Sequence, residues 1–126
     1  MVVGQFTQET DLVVIGAGPA GYSAAFRAAE LGVQTTLIDA HKGGALGGAC
    51  LHSGCIPSKT LLHIAETMHQ AERAGEFGVT FGKAKIDHKA VKAWVAKTIA
   101  KLSAGLDSLA KKHGVVIVGS LFERRA

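Results

Sequence analysis

Apolar and polar positions along the chain divide it into alternating strands and helices. Residues 11–15, Asp-Leu-Val-Val-Ile, form a short, mostly apolar run that is typical of a strand buried on both faces of a parallel sheet. A helical pattern follows to about Glu30, and a second apolar run at 33–38 ends in Asp39. The pattern therefore predicts an α/β fold that begins with a strand, a helix and a parallel strand.

The second half of the chain adds two longer helices and a last strand. Asp87 is a suitable N-cap, and the apolar positions after it recur at helical spacing, as expected for packing against a core. Gly32 and Gly114 are the expected C-caps. The predicted elements are a helix from the residues after Cys55 to about Arg73, an extended piece at 79–81, a helix from Asp87 to about Lys112 and a parallel strand at 115–118.

A glycine-rich turn, residues 16–21 with the sequence Gly-Ala-Gly-Pro-Ala-Gly, joins the first strand to the first helix. Gly16 permits the tight turn, Gly18 lets a pyrophosphate approach the backbone, and Gly21 lets the helix pack closely on the strand. The helix N-terminus adds unpaired N–H groups and a partial positive charge. A turn without a ligand is the alternative. The predicted dinucleotide contacts are Gly16, Gly18, Pro19, Ala20 and Gly21.

Asp39 ends the second strand, 18 residues after Gly21. A carboxylate at this place accepts hydrogen bonds from a ribose 2′-OH and disfavours a 2′-phosphate, so it predicts FAD or NAD and not NADP. The turn does not distinguish these two dinucleotides. A solvated acid at a strand end is the alternative.

The two cysteines of the chain, Cys50 and Cys55, are separated by four residues and follow a glycine-rich loop at 40–49. Pro57 suits the first turn of a helix, so Cys55 is expected at a helix N-terminus, where the thiolate form is favoured, and Cys50 on the loop. Two thiols this close can cycle between a dithiol and a disulfide. Because a flavin links that chemistry to hydride transfer with a nicotinamide, the dithiol favours FAD.

Two other interpretations of the cysteines remain open at this point. His41, His52 and His63 lie near them in sequence, and the spacing is within the range of zinc sites, although no second cysteine pair is present. An inert pair of buried thiols is the other alternative. A structural disulfide is not expected in a cytosolic chain.

Composition and charge exclude several classes of function. The chain has 126 residues, 48% of them hydrophobic, and a formal net charge of +4, as in one globular domain. Eight of its 14 Lys and Arg residues lie at 83–112, where they are expected to form the solvated face of a helix. Only Trp94 is interleaved with them, so no nucleic-acid partner is predicted.

The sequence shows no signal for a membrane. No apolar run approaches the about 20 residues of a membrane span, and residues 1–10 lack the features of a secretory signal. No membrane association and a cytoplasmic location are therefore predicted.

The glycine turn and residues 47–59 together resemble the class I pyridine nucleotide–disulfide oxidoreductases. From Cys50 to His63 the sequence CLHSGCIPSKTLLH is most similar to the dihydrolipoamide dehydrogenases of that family. Mercuric and glutathione reductases, which tend to carry Val at the position of Ile56, are the alternatives. The resemblance covers essentially the whole chain and implies a Rossmann-like FAD-binding domain with a parallel sheet.

The resemblance also implies roles for individual residues. Cys50 would attack the disulfide substrate, and Cys55 would form a charge-transfer complex with FAD. The expected FAD contacts are Asp39 at the adenosine ribose, Ala49 near the pyrophosphate, Lys59 near the flavin N5, Gly119 near the adenine, and Gly48. The sequence departs from the family pattern where Asp39 replaces the usual Glu, Ala49 replaces the usual Thr, and His52-Ser53 replace the common Asn-Val.

A complete enzyme of this kind needs parts that this sequence does not show. No second glycine turn of the same type follows a strand, so the resemblance implies that residues 1–126 are an incomplete FAD-binding domain of a longer protein with NAD, central and interface domains. That protein is expected to be a homodimer that uses FAD and NAD to oxidise dihydrolipoamide, carried on a lipoyl domain of a 2-oxoacid dehydrogenase or glycine-cleavage complex. The alternative is an isolated FAD-binding module without turnover, and the 126-residue chain alone is expected to be inactive.

Overall fold

The computed structural model describes residues 9–40 and 45–119, which fall into two units. A sheet unit lies within Met1–Gly48 and Leu106–Ala126, and a helical unit comprises Ala49–Gly105. In chain order the elements are β1 (Leu12–Ile15), α1 (Pro19–Glu30), β2 (Thr35–Asp39), α2 (Gly48–His52), α3 (Cys55–Arg73), a 3₁₀ turn (Ala74–Phe77), α4 (His88–His113) and β3 (Val116–Gly119). No helix within the described residues is long and apolar enough to span a bilayer.

A parallel sheet in the order β1-β2-β3 forms the centre of the sheet unit. Leu12 lies opposite Thr35, and Thr36 lies opposite Val116. Two adjacent parallel strands need a crossover connection, which α1 provides between β1 and β2. The predicted α/β fold with a parallel sheet is confirmed, and β3 begins one residue later than predicted.

Small, aliphatic and aromatic side chains form the core of the sheet unit. Phe26 of α1 stacks on His113 at the end of α4, with the ring centroids 5.8 Å apart. His113 Nε2 also lies 3.7 Å from a carboxylate oxygen of Glu30, at the end of α1. The buried core residues are Ala17, Ala25, Phe26, Leu37, Leu46, Ala110 and Val115.

The expectation that β1 is buried on both faces is wrong for this chain. Val13 and Ile15 are 47% and 77% exposed, whereas Val14 packs against the core. Successive side chains of a strand point to opposite faces, and the core of the described residues covers only the face that carries Val14. The central strand, β2, is the one that the neighbouring elements bury more completely.

The helical unit contains α3 and the first part of α4. The Asp87 side chain caps α4 as predicted, because its Oδ1 accepts hydrogen bonds from the N–H groups of Lys89 and Ala90 at 2.9 and 3.0 Å. The extended piece predicted at 79–81 forms no strand, since it pairs with no other strand in the described part of the chain. The two expected helix ends are confirmed by positive φ angles, +84° at Gly32 and +69° at Gly114.

Candidate functional site

The glycine turn is fixed at the carboxyl end of β1. Gly16 has a φ of +100°, which favours glycine, and its N–H donates to the Ile38 carbonyl oxygen of β2 at 2.7 Å. Gly18 is the N-cap of α1 and offers no side-chain cap, and Pro19 begins the helix. The first N–H groups of α1 therefore have no side-chain acceptor at this cap, as an anion-binding turn requires.

The other glycines of the turn differ in what surrounds them. A Cβ atom at Gly21 would overlap the carbonyl oxygen of Gly16, so the close approach of α1 to the turn requires glycine there. A Cβ atom at Gly18 would meet no atom within 4 Å. The backbone at Gly18 is thus open to a ligand, and Pro19 and Ala20 beside it are exposed.

A second glycine pair, Gly47-Gly48, folds back onto the turn. The N–H of Gly47 donates to the Ala17 carbonyl oxygen at 2.8 Å, and a Cβ atom at Gly48 would lie 2.8 Å from the Cα of Gly18. Both glycines have positive φ, +115° and +56°. The sequence predicts Gly48 only as a contact of FAD. It did not reveal the backbone contact with Gly18, although two adjacent glycines were a usable signal.

Asp39 and Gly119 lie opposite each other at the carboxyl ends of β2 and β3. Asp39 is 6% exposed, and its Oδ1 accepts a hydrogen bond from the N–H of Ala40 at 2.8 Å. Because Gly16 bonds to Ile38, the turn also lies at this edge of the sheet. Open parallel sheets bind their ligands at this edge, so the structure brings these three predicted contacts together where a dinucleotide is expected.

Cys50 lies in a helix, so its predicted position on a loop is wrong. It is in α2, a single turn closed by hydrogen bonds from the N–H and Oγ of Ser53 to the Ala49 carbonyl oxygen at 3.0 and 3.3 Å. Leu51, 5% exposed, anchors this turn. The helical turn forms because the positive φ of Gly48 turns the chain at its start and because Leu51 is buried. Neither effect can be predicted from the glycine-rich sequence.

Cys55 is the first residue of α3, as predicted, and Gly54 is its N-cap. A Cβ atom at Gly54 would lie 3.0 Å from the Ala49 carbonyl oxygen, so the connection between α2 and α3 is tight. Cys50 is half-buried and Cys55 exposed, and neither is in a disulfide. The tight connection places the two thiols near enough for Cys55 to affect the ionisation of Cys50.

The Cys50–Cys55 contact controls the ionisation of Cys50. The hydrogen bond with Cys55 raises the pKa of Cys50, and so do partial burial and the negative charge of Cys55. The backbone N–H of Cys55 and the Lys59 ammonium act in the opposite direction, but the pKa of Cys50 still lies above its ordinary value. Cys50 is therefore held in its thiol form to a higher pH than an ordinary cysteine, because its pKa is raised.

Replacement of Cys55 by alanine is expected to make Cys50 react at lower pH. The substitution removes the hydrogen bond and the charge that raise the pKa of Cys50, while Lys59 remains. We expect the midpoint of the pH profile for alkylation of Cys50 by iodoacetamide, followed by intact mass in the reduced chain, to shift downward. A midpoint that stays the same or rises would contradict the geometry described here.

Lys59 lies one helical turn after Cys55 and lines a shallow groove between α3 and α4, with a volume of about 340 Å³. His63 and Trp94 lie in the same groove, among the lining residues Ile56, Lys59, Thr60, His63, Trp94, Thr98 and Leu102. Among residues 9–40 and 45–119, no cluster of three or more His, Cys, Asp and Glu side chains could hold a metal ion. His41, which the zinc interpretation included, lies outside the described residues.

Curated relatives match the chain over most of its length. The dihydrolipoyl dehydrogenase of Buchnera aphidicola subsp. Acyrthosiphon pisum is 52% identical over 108 residues, which are 86% of this chain and 22% of that protein. The dihydrolipoyl dehydrogenase of Vibrio cholerae is 47% identical over 110 residues, 87% of this chain and 23% of the relative. That of Geobacillus stearothermophilus is 44% identical over 118 residues, 94% of this chain and 24% of the relative.

The chain thus spans about a quarter of the length of the curated relatives it matches. The family model described as pyridine nucleotide-disulphide oxidoreductase matches residues 10–122. This range includes the glycine turn, the glycine pair and both cysteines. The chain belongs to the pyridine nucleotide-disulphide oxidoreductase family.

Proposed function

We propose that this chain is the FAD-binding part of a longer, NAD-linked oxidoreductase that converts dihydrolipoamide to lipoamide through Cys50 and Cys55. The observation that carries the proposal is the placement of the two thiols on consecutive helices, Cys50 in α2 and Cys55 at the start of α3, joined by the tight connection at Gly54. The names of the relatives, dihydrolipoyl dehydrogenases, support the choice of substrate. The longer protein would work as a cytoplasmic homodimer on a lipoyl domain of a 2-oxoacid dehydrogenase or glycine-cleavage complex.

The residues of the sheet unit fit a dinucleotide. Gly18 leaves its side of the backbone open, and the uncapped N-terminus of α1 offers N–H groups to the pyrophosphate. Asp39 would accept hydrogen bonds from the ribose, and Gly119, opposite it in register, would leave room for the adenine. When bound, FAD supplies the exchange of electrons between a thiolate and a nicotinamide, and Lys59 would lie near its reactive ring.

Cys50 and Cys55 have different roles in the reaction with the substrate. A thiolate of dihydrolipoamide attacks the sulfur of Cys50, the bond between Cys50 and Cys55 breaks, and Cys55 leaves as a thiolate. The second thiol of the substrate then attacks its own sulfur in the mixed disulfide, and Cys50 leaves and takes up a proton. The raised pKa of Cys50 suits this last step, because its sulfur ends as a thiol. Two electrons have then passed from the substrate to the cysteine pair.

The test of the proposal is an assay of the complete protein, purified with its flavin. We expect NAD-linked oxidation of dihydrolipoamide and only weak reduction of glutathione disulfide or mercuric ion with NADPH. Efficient turnover of either alternative substrate, without NAD-linked oxidation of dihydrolipoamide, would replace this proposal with a glutathione or mercuric reductase.

For the 126-residue chain by itself, the proposal is a flavin-binding module without turnover. The 77% exposure of Ile15 and the 47% exposure of Val13 favour this, because the described residues leave that face of β1 open. We expect the isolated chain to bind FAD weakly and to oxidise no dihydrolipoamide. Its visible spectrum after purification with added FAD measures the first point, and the NAD-linked assay measures the second.

A further inference from the structure

We infer that Gly54 is a positioning residue for the cysteine pair: because it has no side chain, α3 approaches α2 closely enough for Cys50 and Cys55 to favour a disulfide over two thiols. The inference rests on the proposed function, since it concerns the same pair, and it adds a residue that acts through the two cysteines. Gly54 is the N-cap of α3, directly before Cys55, and Cys50 lies in α2.

The contact of Gly54 with α2 is made by backbone atoms. A Cβ atom at Gly54 would lie 3.0 Å from the carbonyl oxygen of Ala49 and 3.6 Å from the Cα atom of Cys50. The first distance is shorter than ordinary van der Waals contact, so a side chain at this position would have to displace the Ala49 carbonyl group. The second distance shows that the same side chain would also touch the backbone of Cys50.

Hydrogen bonds and burial hold the Ala49 carbonyl group in its place. Its oxygen accepts hydrogen bonds from the N–H and the Oγ of Ser53, at 3.0 and 3.3 Å. Leu51, in the same helical turn, is 5% exposed. The carbonyl group therefore cannot move alone, and a push on it is a push on α2, which contains Cys50.

Gly54 is fixed to α3 in the same way. Its carbonyl oxygen accepts a hydrogen bond from the N–H of Ser58 at 3.1 Å, in the first turn of the helix that begins at Cys55. A methyl group at Gly54 would thus belong to α3 and press on α2. The two helices would have to separate, and the distance between Cys50 and Cys55 would increase with them.

A wider separation affects the disulfide more than the two thiols. A disulfide requires Cα atoms about 4.4–6.8 Å apart and a narrow range of torsion angles, and deviations make the bond easier to reduce. Two thiols have no such requirement. The close approach that Gly54 permits therefore stabilises the disulfide relative to the dithiol, and the disulfide is the form that a dithiol substrate reduces.

The capping of α3 is a different reason for which a substitution of Gly54 would matter. Alanine is a poor N-cap residue, whereas serine is one of the best. Gly54→Ser supplies a capping hydroxyl and still carries a Cβ atom. If the close approach is what matters, serine and alanine have the same effect; if capping is what matters, serine restores the behaviour of glycine.

The test is the thiol–disulfide equilibrium of the complete, flavin-loaded protein with dithiothreitol, without NAD or lipoamide. In this exchange the bond between Cys50 and Cys55 breaks, and the electron pair and both protons come from dithiothreitol, whose thiols close to a disulfide. Samples at graded ratios of reduced to oxidised dithiothreitol are alkylated with iodoacetamide. The mass of the peptide that carries both cysteines then gives the fraction in the dithiol form.

Gly75→Ala is the matched control, because it makes the same change in the same unit. A Cβ atom at Gly75 would meet no atom of the described residues within 4 Å. We expect Gly54→Ala and Gly54→Ser each to raise the equilibrium constant for reduction of the pair about tenfold, which corresponds to ~30 mV in reduction potential. The control should change that constant less than about twofold.

Three results would overturn the inference. The first is an unchanged constant in both Gly54 variants. The second is a serine variant that returns to the value of the unsubstituted protein while the alanine variant does not. The third is an equal change in the Gly75 control.

Leu51→Val replaces the Gly54 variants if neither of them folds. It weakens the anchor of α2 without adding an atom near α3. The same equilibrium constant should then rise about threefold, because α2 is held less firmly in the position that suits the disulfide. An unchanged constant in this variant would overturn the inference.

A failure of the proposed function would look different. In that case the unsubstituted protein would not oxidise dihydrolipoamide with NAD, whereas the equilibrium with dithiothreitol requires neither of them. The shift caused by the Gly54 variants would still be measured, and it would still decide the role of this residue.

Discussion

Serine in place of Cys55 is expected to reduce NAD-linked oxidation of dihydrolipoamide by the complete protein about a thousandfold or more. The substitution removes the leaving thiolate of the Cys50–Cys55 pair, so no disulfide can form and the substrate has no sulfur to attack. Cys50 and its helix remain, because α2 is closed by Ser53 and anchored by Leu51 and not by Cys55. The loss should appear in the chemical step, and circular dichroism should show an unchanged fold.

The matched control for this substitution is Ser53→Ala, between the two cysteines. Its hydroxyl makes one exposed hydrogen bond, to the Ala49 carbonyl oxygen at 3.3 Å, and the backbone N–H of the same residue keeps the turn closed. We expect near-normal activity from this control. Activity within tenfold of the unsubstituted protein after Cys55→Ser would mean that the reaction does not pass through the cysteine pair.

Alanine in place of Gly21 is expected to destabilise the fold by about 3 kcal/mol. Its Cβ atom would overlap the carbonyl oxygen of Gly16, which belongs to the backbone of the turn and has little freedom to move. The N–H of Gly16 is bonded to Ile38 on β2, so a shift of the turn would disturb the junction of β1, β2 and α1. Because domains are stable by only about 5–15 kcal/mol, this is a large fraction of the total.

Gly105→Ala is the control for Gly21→Ala, since it makes the same change inside another helix. A Cβ atom at Gly105 would meet no atom within 4 Å. Alanine there should stabilise the chain by about 0.5–1 kcal/mol, because it reduces the backbone entropy of the unfolded state. Urea unfolding followed by circular dichroism gives both values. Equal effects of the two substitutions would show that α1 does not approach the turn as closely as described.

The elements that the sequence predicts well are those fixed by local signals. The turn from β1 to α1 follows from glycines at the positions that need them, and the start of α4 follows from the capping side chain of Asp87. Asp39 and Gly119 lie opposite each other because each is at the carboxyl end of its strand and the two strands are parallel neighbours. These features depend on a few neighbouring residues or on the regular geometry of a parallel sheet.

Features that depend on contacts distant in sequence were not predictable in the same way. Cys50 was expected on a loop, but the burial of Leu51 and the positive φ of Gly48 produce a helical turn. The contact of Gly48 with Gly18 joins residues 30 positions apart, and no local pattern reports it. The exposure of Val13 and Ile15 likewise depends on which elements cover the sheet, whereas the apolar run at 11–15 only shows that both faces could be covered.

We propose that Cys50 and Cys55 form a redox-active pair that works together with FAD. The decisive experiment is anaerobic reduction of the complete protein by dihydrolipoamide and then dithionite, followed in the visible spectrum. We expect an uptake of ~4 electrons per flavin, ~2 for the cysteine pair and ~2 for the flavin, with a long-wavelength absorption band after the first ~2 electrons. A double variant with serine at both positions should take up ~2 electrons and show no such band. An uptake of ~2 electrons by the unsubstituted protein, with both thiols still open to alkylation in the oxidised state, would contradict the claim.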